Sequence, residues 1–310
     1  MSRISATVCV VGSFMTDLVM RLPHALRPGE TLLADRFGVF LGGKGFNQAI
    51  AARRMGAEVA IIGRIGADEY GARFRAKLAE EGIDDRGVVT DPDDGTGIAV
   101  PLIEPGGGNS IAVAPRANLR LTADDIERAG RLITTADIVL AQLETSLESV
   151  EATARLARGA GRTFVLNPAP ARAVPDGLLA MANVLTPNEG EAATLSGRIV
   201  DGMEAAWEAA ESLRQRGPGI VIITLAEHGA IAAAAGRPNL MLPGHSVPVV
   251  DTTAAGDAFN GALAARLAAG DDLETALRWA NAAGACAVTR LGAEPSLPHA
   301  AEVAALLRAQ

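Results

Sequence analysis

Residues 251–261, with the sequence DTTAAGDAFNG, have the types and spacing that phosphate chemistry needs. An extended run gives way here to a long Ala/Leu-rich helical pattern, and we expect Asp257 to lie one residue into that helix. The first N–H groups of a helix attract anions, and small residues let the backbone approach a phosphate closely. A carboxylate at the same place can take a proton from an attacking hydroxyl. The alternative is a helix start that an aspartate merely caps, and the spacing alone favours neither interpretation.

A second predicted helix start, at residues 41–48, is rich in glycine and reads LGGKGFNQ. It is not a Walker loop, because no Lys-Ser/Thr pair follows a G-x-x-x-x-G, and it lacks the third glycine of a dinucleotide-binding fingerprint. Close approach of the backbone to a small polar ligand remains, with Lys44 and Asn47 as hydrogen-bonding groups for hydroxyls. A purely structural turn is the alternative interpretation.

Two carboxylates, Asp17 and Glu144, follow the predicted strands at 8–11 and 138–141. Because ligands of open α/β sheets bind beyond the carboxyl ends of the strands, we expect both side chains at a ligand site. Carboxylates can accept from two hydroxyls of a polyhydroxy ligand at once. A surface acid or a helix cap explains each residue equally well.

Polar residues also follow two later strands. Asn188 and Glu191 lie three apart at a predicted helix start, which suits a magnesium ion that keeps most of its waters. The competing interpretation is a capping pair, with Asn188 at the N-cap and Glu191 at N3, and the two interpretations are compatible. The turn at 224–229, with the sequence TLAEHG, suits the sugar-phosphate edge of a nucleotide, although an ordinary loop explains it as well.

Short apolar strands alternate with helical patterns through most of the chain, which predicts parallel strands joined by crossover helices. The predicted strands are 8–11, 60–63, 138–141, 163–166, 184–185 and 220–224, and the predicted helices are 47–55, 69–81, 123–133, 147–158, 189–195 and 203–216. After Asp257 the pattern is mainly helical. We therefore expect a three-layer α/β/α fold with a mainly parallel sheet, as one domain over residues 1–310.

Two regions, 18–40 and 96–113, fit the crossover scheme poorly because they alternate or are interrupted by glycine and proline. Residues 104–109, with the sequence EPGGGN, resemble a hairpin tip between short strands. We expect a small antiparallel sheet that projects from the main domain and is formed by about 13–41 and 96–114. Such a sheet is well placed to act as a lid over a ligand.

The composition indicates a folded protein with a large core, since 49% of the 310 residues are hydrophobic and 21% are charged. A net charge of -8 and a pI near 5.1 argue against a nucleic-acid or anionic-membrane partner. Cys9 and Cys286 stand alone in apolar runs, so we expect buried thiols rather than a disulfide or a zinc site. No secretory leader or apolar run of about 18 residues is visible, and we expect a soluble, cytoplasmic protein.

Taken in order, these segments resemble the ribokinase branch of the PfkB carbohydrate kinase family nearly end to end. The matching motifs are Gly42-Gly-Lys-Gly with Asn47-Gln-Ala, Gln142-Leu-Glu144, Asn167-Pro-Ala-Pro-Ala-Arg172, Thr186-Pro-Asn-Glu189, the 251–261 segment, and Ala287-Val-Thr-Arg290 with Gly292, Pro295 and Ser296. Agreement at this many ordered sites favours the catalytic interpretation of residues 251–261 over the capping interpretation.

The resemblance implies an ATP-dependent transfer to O5 of D-ribose, with Asp257 as the general base. The backbone amides of Ala254, Ala255, Gly256 and Asp257 would form the anion hole. The implied sugar-binding residues are Met15, Asp17, Gly43, Lys44, Asn47, Glu144 and Asp257. The implied ATP contacts are Asn188, Thr224, Leu225, Ala226, Glu227, His228, Gly229, Gly256 and Asn281.

The resemblance further implies two metal ions and a partner subunit. Magnesium would lie near Glu191, bound through water. Potassium or a similar monovalent cation would lie among oxygens of Asp251, Thr253, Ala287, Arg290, Gly292 and Ser296. Because the small β-sheet of this family often pairs between subunits, a homodimer formed through the lid is expected.

Three departures from the family pattern leave the sugar open. Met15 stands where many members have an amide, and a thioether cannot donate to a sugar hydroxyl, so 2-deoxyribose is an alternative substrate. Phe46 replaces a usual alanine and either narrows the pocket or packs against the lid. Arg116 replaces a usual glycine, and it is either a solvated loop residue or a group that selects a sugar acid.

Other functions are weighed against a pentose kinase. A nucleoside kinase of the same family is disfavoured, because the chain has few aromatic residues to stack on a base. A binding protein that has lost catalysis is disfavoured by the intact Asp257, Gly256, Asn188 and Glu191. A dehydrogenase is disfavoured because no G-x-G-x-x-G follows Val11.

Overall fold

The computed structural model describes residues 6–105 and 108–309. Its strands are β1 (Thr7–Val11), β2 (Met15–Arg21), β3 (Arg36–Gly42), β4 (Glu58–Gly66), β5 (Asp84–Asp91), β6 (Gly97–Ile103), β7 (Asn109–Ala114), β8 (Ile138–Ala141), β9 (Thr163–Leu166), β10 (Val184–Leu185), β11 (Ile220–Thr224), β12 (Ala230–Ala234) and β13 (Leu240–Leu242). Its helices are α1 (Lys44–Arg54), α2 (Glu69–Glu81), α3 (Ala123–Arg128), α4 (Gly130–Thr135), α5 (Leu147–Gly159), α6 (Asp176–Leu179), α7 (Glu189–Ser196), α8 (Met203–Gln215), α9 (Ala255–Ala268), α10 (Leu273–Ala287) and α11 (Ala300–Arg308).

The larger sheet runs in the order β13-β12-β11-β10-β9-β8-β1-β4-β5 within the described residues. Neighbouring strands from β11 to β5 are parallel, and β12 and β13 pair antiparallel at one end. Alternate residues of β1 enter two separate cores, with Val8 and Val10 on one face and Cys9 and Val11 on the other. The first core contains α1, α2, α9, α10 and α11, and the second contains α3 to α8. The predicted three-layer fold with a mainly parallel sheet is confirmed.

The smaller sheet has the order β3-β2-β6-β7 in the described part of the chain. The predicted antiparallel pairing is confirmed for β2 with β3 and for β6 with β7, but it was wrong for the two central strands, β2 and β6, which run parallel. The reason lies in the main sheet. β2 continues from β1 and β6 continues from β5, and since β1 and β5 point the same way, so do the strands that leave them. The tip of the predicted hairpin at 106–107 lies outside the described residues.

Some elements differ from the prediction for local reasons. β5 was missed because its sequence, DDRGVVTD, is charged, as an edge strand can be. β12 was missed because its sequence, AIAAA, is rich in alanine, which has a low strand propensity. The helix predicted over 123–133 is divided into α3 and α4 at Ala129, next to a glycine.

The cysteines also differ from each other. Cys9 is fully buried, and burial raises the pKa of its thiol, whereas Cys286 is half-buried rather than enclosed as expected. Both are free thiols. Among the described residues, no helix has the length and apolar character needed to cross a membrane.

Candidate functional site

The start of α1 packs directly on the backbone that follows β1. Gly43 precedes the helix with φ +92°, and a Cβ there would lie 2.7 Å from the backbone nitrogen of Met15. A Cβ on Gly45 would collide with the backbone at Gly12 and Ser13. Glycine is therefore required here for close packing of backbone on backbone, which agrees with the structural interpretation of this turn. The packing brings Lys44 and Asn47 beside the chain that enters the small sheet.

Asp257 lies in the first turn of α9, and its carboxylate is held by two amides of α1. Asn47 Nδ2 donates to Oδ2 and Gln48 Nε2 donates to Oδ1, each at 2.9 Å. Asp257 is 7% exposed. It is the third residue of the helix rather than one residue in, because the N-cap is Ala254. The arrangement fixes the carboxylate while leaving lone pairs for another partner.

Gln48 belongs to a chain of buried amides that the sequence analysis did not assign. Its Nε2 also donates to Asn167 Oδ1 at 3.0 Å, and Gln142 Nε2 donates to Gln48 Oε1 at 2.6 Å. Asn167 in turn donates to the carbonyl of Thr186 at 2.9 Å. The chain ties α1 to the ends of β8, β9 and β10. Gln48, Gln142 and Asn167 all lie within the motifs that carry the family resemblance, and their place in those motifs is the sequence feature that could have identified them.

Glu144 follows β8 as expected and lies next to the glycine-rich start of α1. Its Oε2 accepts from the backbone N–H of Lys44 at 3.0 Å and from Ser13 Oγ. The contact with Ser13 was not anticipated. Glu144 is thus oriented by one residue from each of two neighbouring segments.

Asp17 does not follow β1 as expected, since it lies within β2 and pairs with Phe40 of β3. The irregular region was predicted to begin at residue 18, but β2 begins at Met15, because the turn between β1 and β2 spans only residues 12–14. Asp17 still reaches the site: a Cβ on Gly42 would lie 2.6 Å from its Oδ2. Met15 is buried two residues earlier and therefore shares a face of the strand with Asp17.

The carboxylates of Glu144, Glu191 and Asp257 act electrostatically on the ammonium of Lys44, and Glu144 and Asp257 also act on the carboxylate of Asp17. Burial, with the charges of Glu144 and Asp257, raises the pKa of Asp17 from 3.8 to about 7. Burial also raises the pKa of Asp257, although Lys44, Asn47 and Gln48 oppose it. Burial lowers the pKa of Lys44, but the charges of Asp257, Glu144 and Glu191 outweigh it and raise the pKa overall. Lys44 is therefore charged, and Asp257 is a stronger base than an ordinary aspartate.

Asn188 and Glu191 form a capping box at the start of α7. Asn188 Oδ1 accepts from the N–H of Glu191 at 2.8 Å, and Glu191 Oε2 accepts from the N–H of Asn188 at 2.9 Å. The capping interpretation is confirmed. Asn188 Nδ2 and Glu191 Oε1 remain for a ligand. Burial raises the pKa of Glu191, with opposition from the Asn188 N–H and from Lys44.

A cavity of about 900 Å³ lies beside the start of α9. Residues of its lining that the sequence analysis named are Asn188, Thr224, Ala226, Glu227, Gly229, Ala255, Gly256 and Asn281. Leu225 and His228 do not line it; Leu225 is buried, and both face a neighbouring cavity of about 520 Å³. Apolar wall residues that were missed include Val247, Val249, Phe259 and Val288. The cavity suits a ligand with a flat apolar part and an anionic part.

The turn before α9 adopts an unusual backbone conformation. Ala254 has φ +62°, and the N–H of Ala255 donates to the carbonyl of Thr252 at 3.3 Å. The Ala255 amide is therefore already engaged within the protein, although the resemblance implied that it would donate to an anion. The amides of Gly256 and Asp257 follow in the first helical turn, where no carbonyl four residues earlier is in helical register. They are the donors that this turn offers to an anion.

Asp251 joins this turn to the loop after α10. Its Oδ1 accepts from the N–H and hydroxyl of Thr253 at 2.9 and 2.7 Å, and its Oδ2 accepts from the N–H of Gly292 at 2.9 Å. Although burial opposes it, these bonds lower the pKa of Asp251. The predicted cation-site residues Asp251, Thr253 and Gly292 are thus brought together.

Other members of the predicted cation set are engaged locally. The carbonyl of Ala287 accepts from the N–H of Arg290 at 3.3 Å, whose guanidinium lies 2.9 Å from Glu302. Ser296 is buried and donates to the carbonyl of Ala293. Within 6–105 and 108–309, no cluster of three or more His, Cys, Asp or Glu side chains could hold a metal ion. A metal here would depend on carbonyl, hydroxyl, water or phosphate oxygens.

The side chains of Phe46 and Arg116 are both engaged by other residues of the protein. Phe46 is fully buried against Phe14 and Phe74, with ring centroids 6.1 and 4.8 Å away, so it is a core residue. Arg116 forms an ion pair with Asp94 at 3.2 Å and donates to the carbonyl of Thr96. Neither residue supplies a group to the carboxylate cluster.

Comparisons with known proteins agree on one family. The pfkB family carbohydrate kinase profile matches residues 5–300. A ribokinase of Haemophilus influenzae is 39% identical over 292 residues, which cover 94% of this chain and 95% of that protein. A deoxyribokinase of Salmonella typhimurium is 32% identical over 94% of this chain and 95% of its own length. The solved structure of Arabidopsis thaliana ribokinase complexed with ribose and ATP has a TM-score of 0.91 at 29% identity, and the match covers 98% of this chain and 99% of that one.

Proposed function

The chain belongs to the PfkB family of carbohydrate kinases, and we propose that it phosphorylates D-ribose at O5 with ATP. The observation that carries the proposal is the placement of Asp257. Its buried carboxylate is held by Asn47 and Gln48 at the start of α9, near the carboxylates of Asp17 and Glu144 on one side and next to Gly256 of the 900 Å³ cavity on the other. One side chain thus lies within reach of both halves of a transfer reaction.

Asp257 acts as the general base. The O5 hydroxyl gives its proton to the carboxylate, the oxygen attacks the γ-phosphorus, and the bond from that phosphorus to the β–γ bridging oxygen breaks to release ADP. Because the pKa of Asp257 is raised by burial, its carboxylate is matched better to a weakly acidic hydroxyl. Asn47 and Gln48 hold both carboxylate oxygens in one orientation. Such positioning matters because catalysis of phosphoryl transfer depends mainly on alignment of the reacting groups rather than on covalent chemistry by the protein.

The sugar lies between β2 and the start of α1. Asp17 and Glu144 accept from its hydroxyls, while Lys44 and Asn47 donate, and Gly43 leaves room for the ring. Met15 covers one side of the ring with its thioether. The ion pair of Arg116 with Asp94 supports a neutral sugar over a sugar acid, because the Arg116 guanidinium is already paired with a carboxylate of the protein.

ATP lies in the 900 Å³ cavity. Asn188, Thr224, Ala226, Glu227, Gly229 and Asn281 bind the nucleoside end, and the amides of Gly256 and Asp257 receive the transferred phosphoryl group. Because those amides and Lys44 supply local positive potential, a chain of net charge -8 needs no basic surface to bind ATP.

Magnesium fits beside Glu191, whose Oε1 is free of the capping box and can accept from a metal-bound water. When bound, magnesium neutralises charge on the phosphates. A potassium-like cation fits the oxygens of Asp251, Thr253, Ala287, Arg290, Gly292 and Ser296, because the hydrogen bonds there leave lone pairs on the carboxylate and carbonyls. A cation at this loop would stabilise the turn that begins α9.

We further propose that the strands of the small sheet form a lid over the single kinase domain, and that two lids pair in a homodimer. Exposed apolar side chains support this, since Phe37 of β3 is 62% exposed and Ile111 and Val113 of β7 are exposed as well. ATP is a cytoplasmic metabolite, so the proposed site of action is the cytoplasm.

A second substrate, 2-deoxyribose, is favoured by Met15. Its buried thioether cannot donate to a sugar hydroxyl, so the site loses less when a hydroxyl is absent. The similarity to a deoxyribokinase agrees with this alternative.

The test is ADP release measured with ribose, 2-deoxyribose, nucleosides and keto-deoxy sugar acids at saturating ATP and magnesium. We expect ribose to have the highest kcat/KM and 2-deoxyribose to lie within about a hundredfold of it. Higher activity on a nucleoside or a sugar acid than on ribose would contradict the proposal. Discrimination of many thousandfold against 2-deoxyribose would contradict the part that concerns Met15.

A further inference from the structure

A buried guanidinium joins the C-terminal end of α1 to the loop that follows α10. Arg54 Nη1 donates to the carbonyl of Glu294 at 3.0 Å and to the carbonyl of Leu297 at 2.9 Å. Its Nη2 donates to the carboxylate of Glu81 at 2.6 Å and to that of Glu294. The side chain is 9% exposed. Arg54 therefore fastens α1, α2 and the 292–297 loop at one point.

The same loop reaches the turn before α9 through Gly292. The N–H of Gly292 donates to Asp251, and the other oxygen of Asp251 accepts from Thr253, the residue before the strained Ala254. A continuous path of loop backbone and hydrogen bonds thus runs from Arg54 to the start of α9. Neither Arg54 nor Glu294 lines the nucleotide cavity.

The geometry of this cluster requires arginine. A guanidinium offers several N–H donors in one rigid plane, so it can bind two carbonyls and two carboxylates at once, which a lysine ammonium cannot match. Lys77 lies 3.1 Å from Glu81 and 3.4 Å from Glu294, so the carboxylates would keep a cationic neighbour without Arg54. Without Arg54, the carbonyl of Leu297 would lose its donor, and that of Glu294 would keep only the N–H of Leu297 at 3.2 Å.

We propose that Arg54 is a positioning residue for phosphoryl transfer. It holds the 292–297 loop and, through Gly292 and Asp251, sets the turn whose amides receive the phosphoryl group. The inference rests on the proposed function, because the anion hole at the start of α9 belongs to that proposal. Arg54 itself touches neither substrate.

The test compares Arg54→Lys with Glu81→Gln. Both change the same ion cluster, but Glu81→Gln leaves the bonds from Arg54 to the loop in place. Amide hydrogen exchange is followed in peptides that cover 250–256 and 290–298, and kcat and KM for ribose are measured at saturating ATP. For Arg54→Lys we expect faster exchange in both peptides and a kcat about tenfold lower, with KM for ribose within about twofold of wild type. Glu81→Gln should leave exchange and kcat near the wild-type values.

Faster exchange confined to α1 and α2, or equal effects of the two variants, would overturn the inference. If Arg54→Lys does not fold, Glu294→Gln takes its place, since it weakens one bond from Arg54 to the loop and keeps both bonds to carbonyls; about a threefold fall in kcat is then expected, and an unchanged kcat would overturn the inference. Hydrogen exchange needs no turnover, so it decides the role of Arg54 even if wild-type protein fails to phosphorylate ribose. That failure would contradict the proposed function alone.

Discussion

At the scale of one residue, the buried carboxylate of Asp17 makes the stability of the folded protein depend on pH. Its pKa is about 7 in the folded protein and 3.8 ordinarily, because it is buried near Glu144 and Asp257. The folded state therefore holds a proton that the unfolded state loses more readily. The stabilising effect is complete below pH 3.8 and is lost as the pH rises to about 7. A ligand whose hydroxyls donate to the carboxylate offsets this cost.

The first prediction concerns Asp17→Asn. Without ligands at pH 8, the variant should be more stable than wild type by roughly 2–4 kcal/mol, and at pH 4 the difference should nearly vanish. The value of kcat/KM for ribose should fall, because an amide oxygen is a weaker acceptor than a carboxylate. The pH–rate profile of wild type should change near pH 7 as Asp17 titrates, and this change should disappear in the variant. Thermal unfolding and pH–rate profiles measure these effects. A variant profile that still changes near pH 7 would show that another group titrates there.

The sequence predicted only in part which residues lie together in the candidate site. Lys44, Asn47, Glu144 and Asp257 come together as expected, because glycine-rich helix starts and strand ends place them. Gln48 was missed, since a buried glutamine has no spacing rule that marks it as a partner of a carboxylate 209 positions away. Such contacts depend on how α1 and α9 pack.

At the scale of elements, the turn before α9 has the backbone conformation on which the proposed anion site depends. Ala254 adopts φ +62°, a conformation that costs a non-glycine residue about 1 kcal/mol and costs a β-branched residue more. The strain is held in place by Asp251, which binds both Thr253 and Gly292.

The second prediction uses two substitutions at Ala254. Ala254→Gly should keep kcat within about threefold, because glycine adopts positive φ readily, and should change stability by less than about 1 kcal/mol. Ala254→Val should lower kcat more than about tenfold, because a β-branched residue displaces the turn and its amides. Steady-state kinetics and thermal unfolding separate the two. Equal kcat values for both variants would mean that this backbone conformation is unimportant for transfer.

Elements with strong patterns were predictable, and those defined by pairing were not. The parallel strands from β8 to β11 and the helix α2 match their predicted bounds closely, because an apolar run or a clear 3.6-residue period marks them. The parallel pairing of β2 with β6 follows from the direction of β1 and β5 rather than from the sequence of either strand. The same is true of β12, whose alanines become a strand by pairing with β11.

At the scale of the whole molecule, residues from both the large and the small sheet contribute to the candidate site, and we propose that the small sheet is its lid. Asp17 and Met15 come from the small sheet, whereas Glu144 and Asp257 come from the main domain. A kinase site built from both parts can close around a sugar and exclude water. Exposed apolar residues on β3 and β7 leave the small sheet with surface for a second copy.

The third prediction tests whether two small sheets pair in a homodimer. Wild-type protein should sediment as a dimer, and Phe37→Glu should yield a monomer, because the introduced charge would be buried between lids. Ile199→Glu is the matched control: Ile199 is 80% exposed and lies outside the small sheet, so the dimer should persist. Analytical ultracentrifugation gives the mass. A monomeric wild type, or a monomer from Ile199→Glu alone, would contradict pairing through the lid.

Asp257 is the residue on which the proposed phosphoryl transfer depends most, and Asp257→Asn tests its role. The amide keeps the size of the side chain, but it cannot take a proton from O5. Its oxygen can accept from Gln48, and its NH2 group can donate to Asn47 if Asn47 turns its unpaired Oδ1 toward it. We predict that ribose and ATP bind by calorimetry with dissociation constants within about threefold of wild type, while kcat falls between a hundredfold and ten-thousandfold, roughly. Turnover within about tenfold of wild type, measured as ribose 5-phosphate formed for each ADP released, would contradict the assignment of Asp257 as the general base.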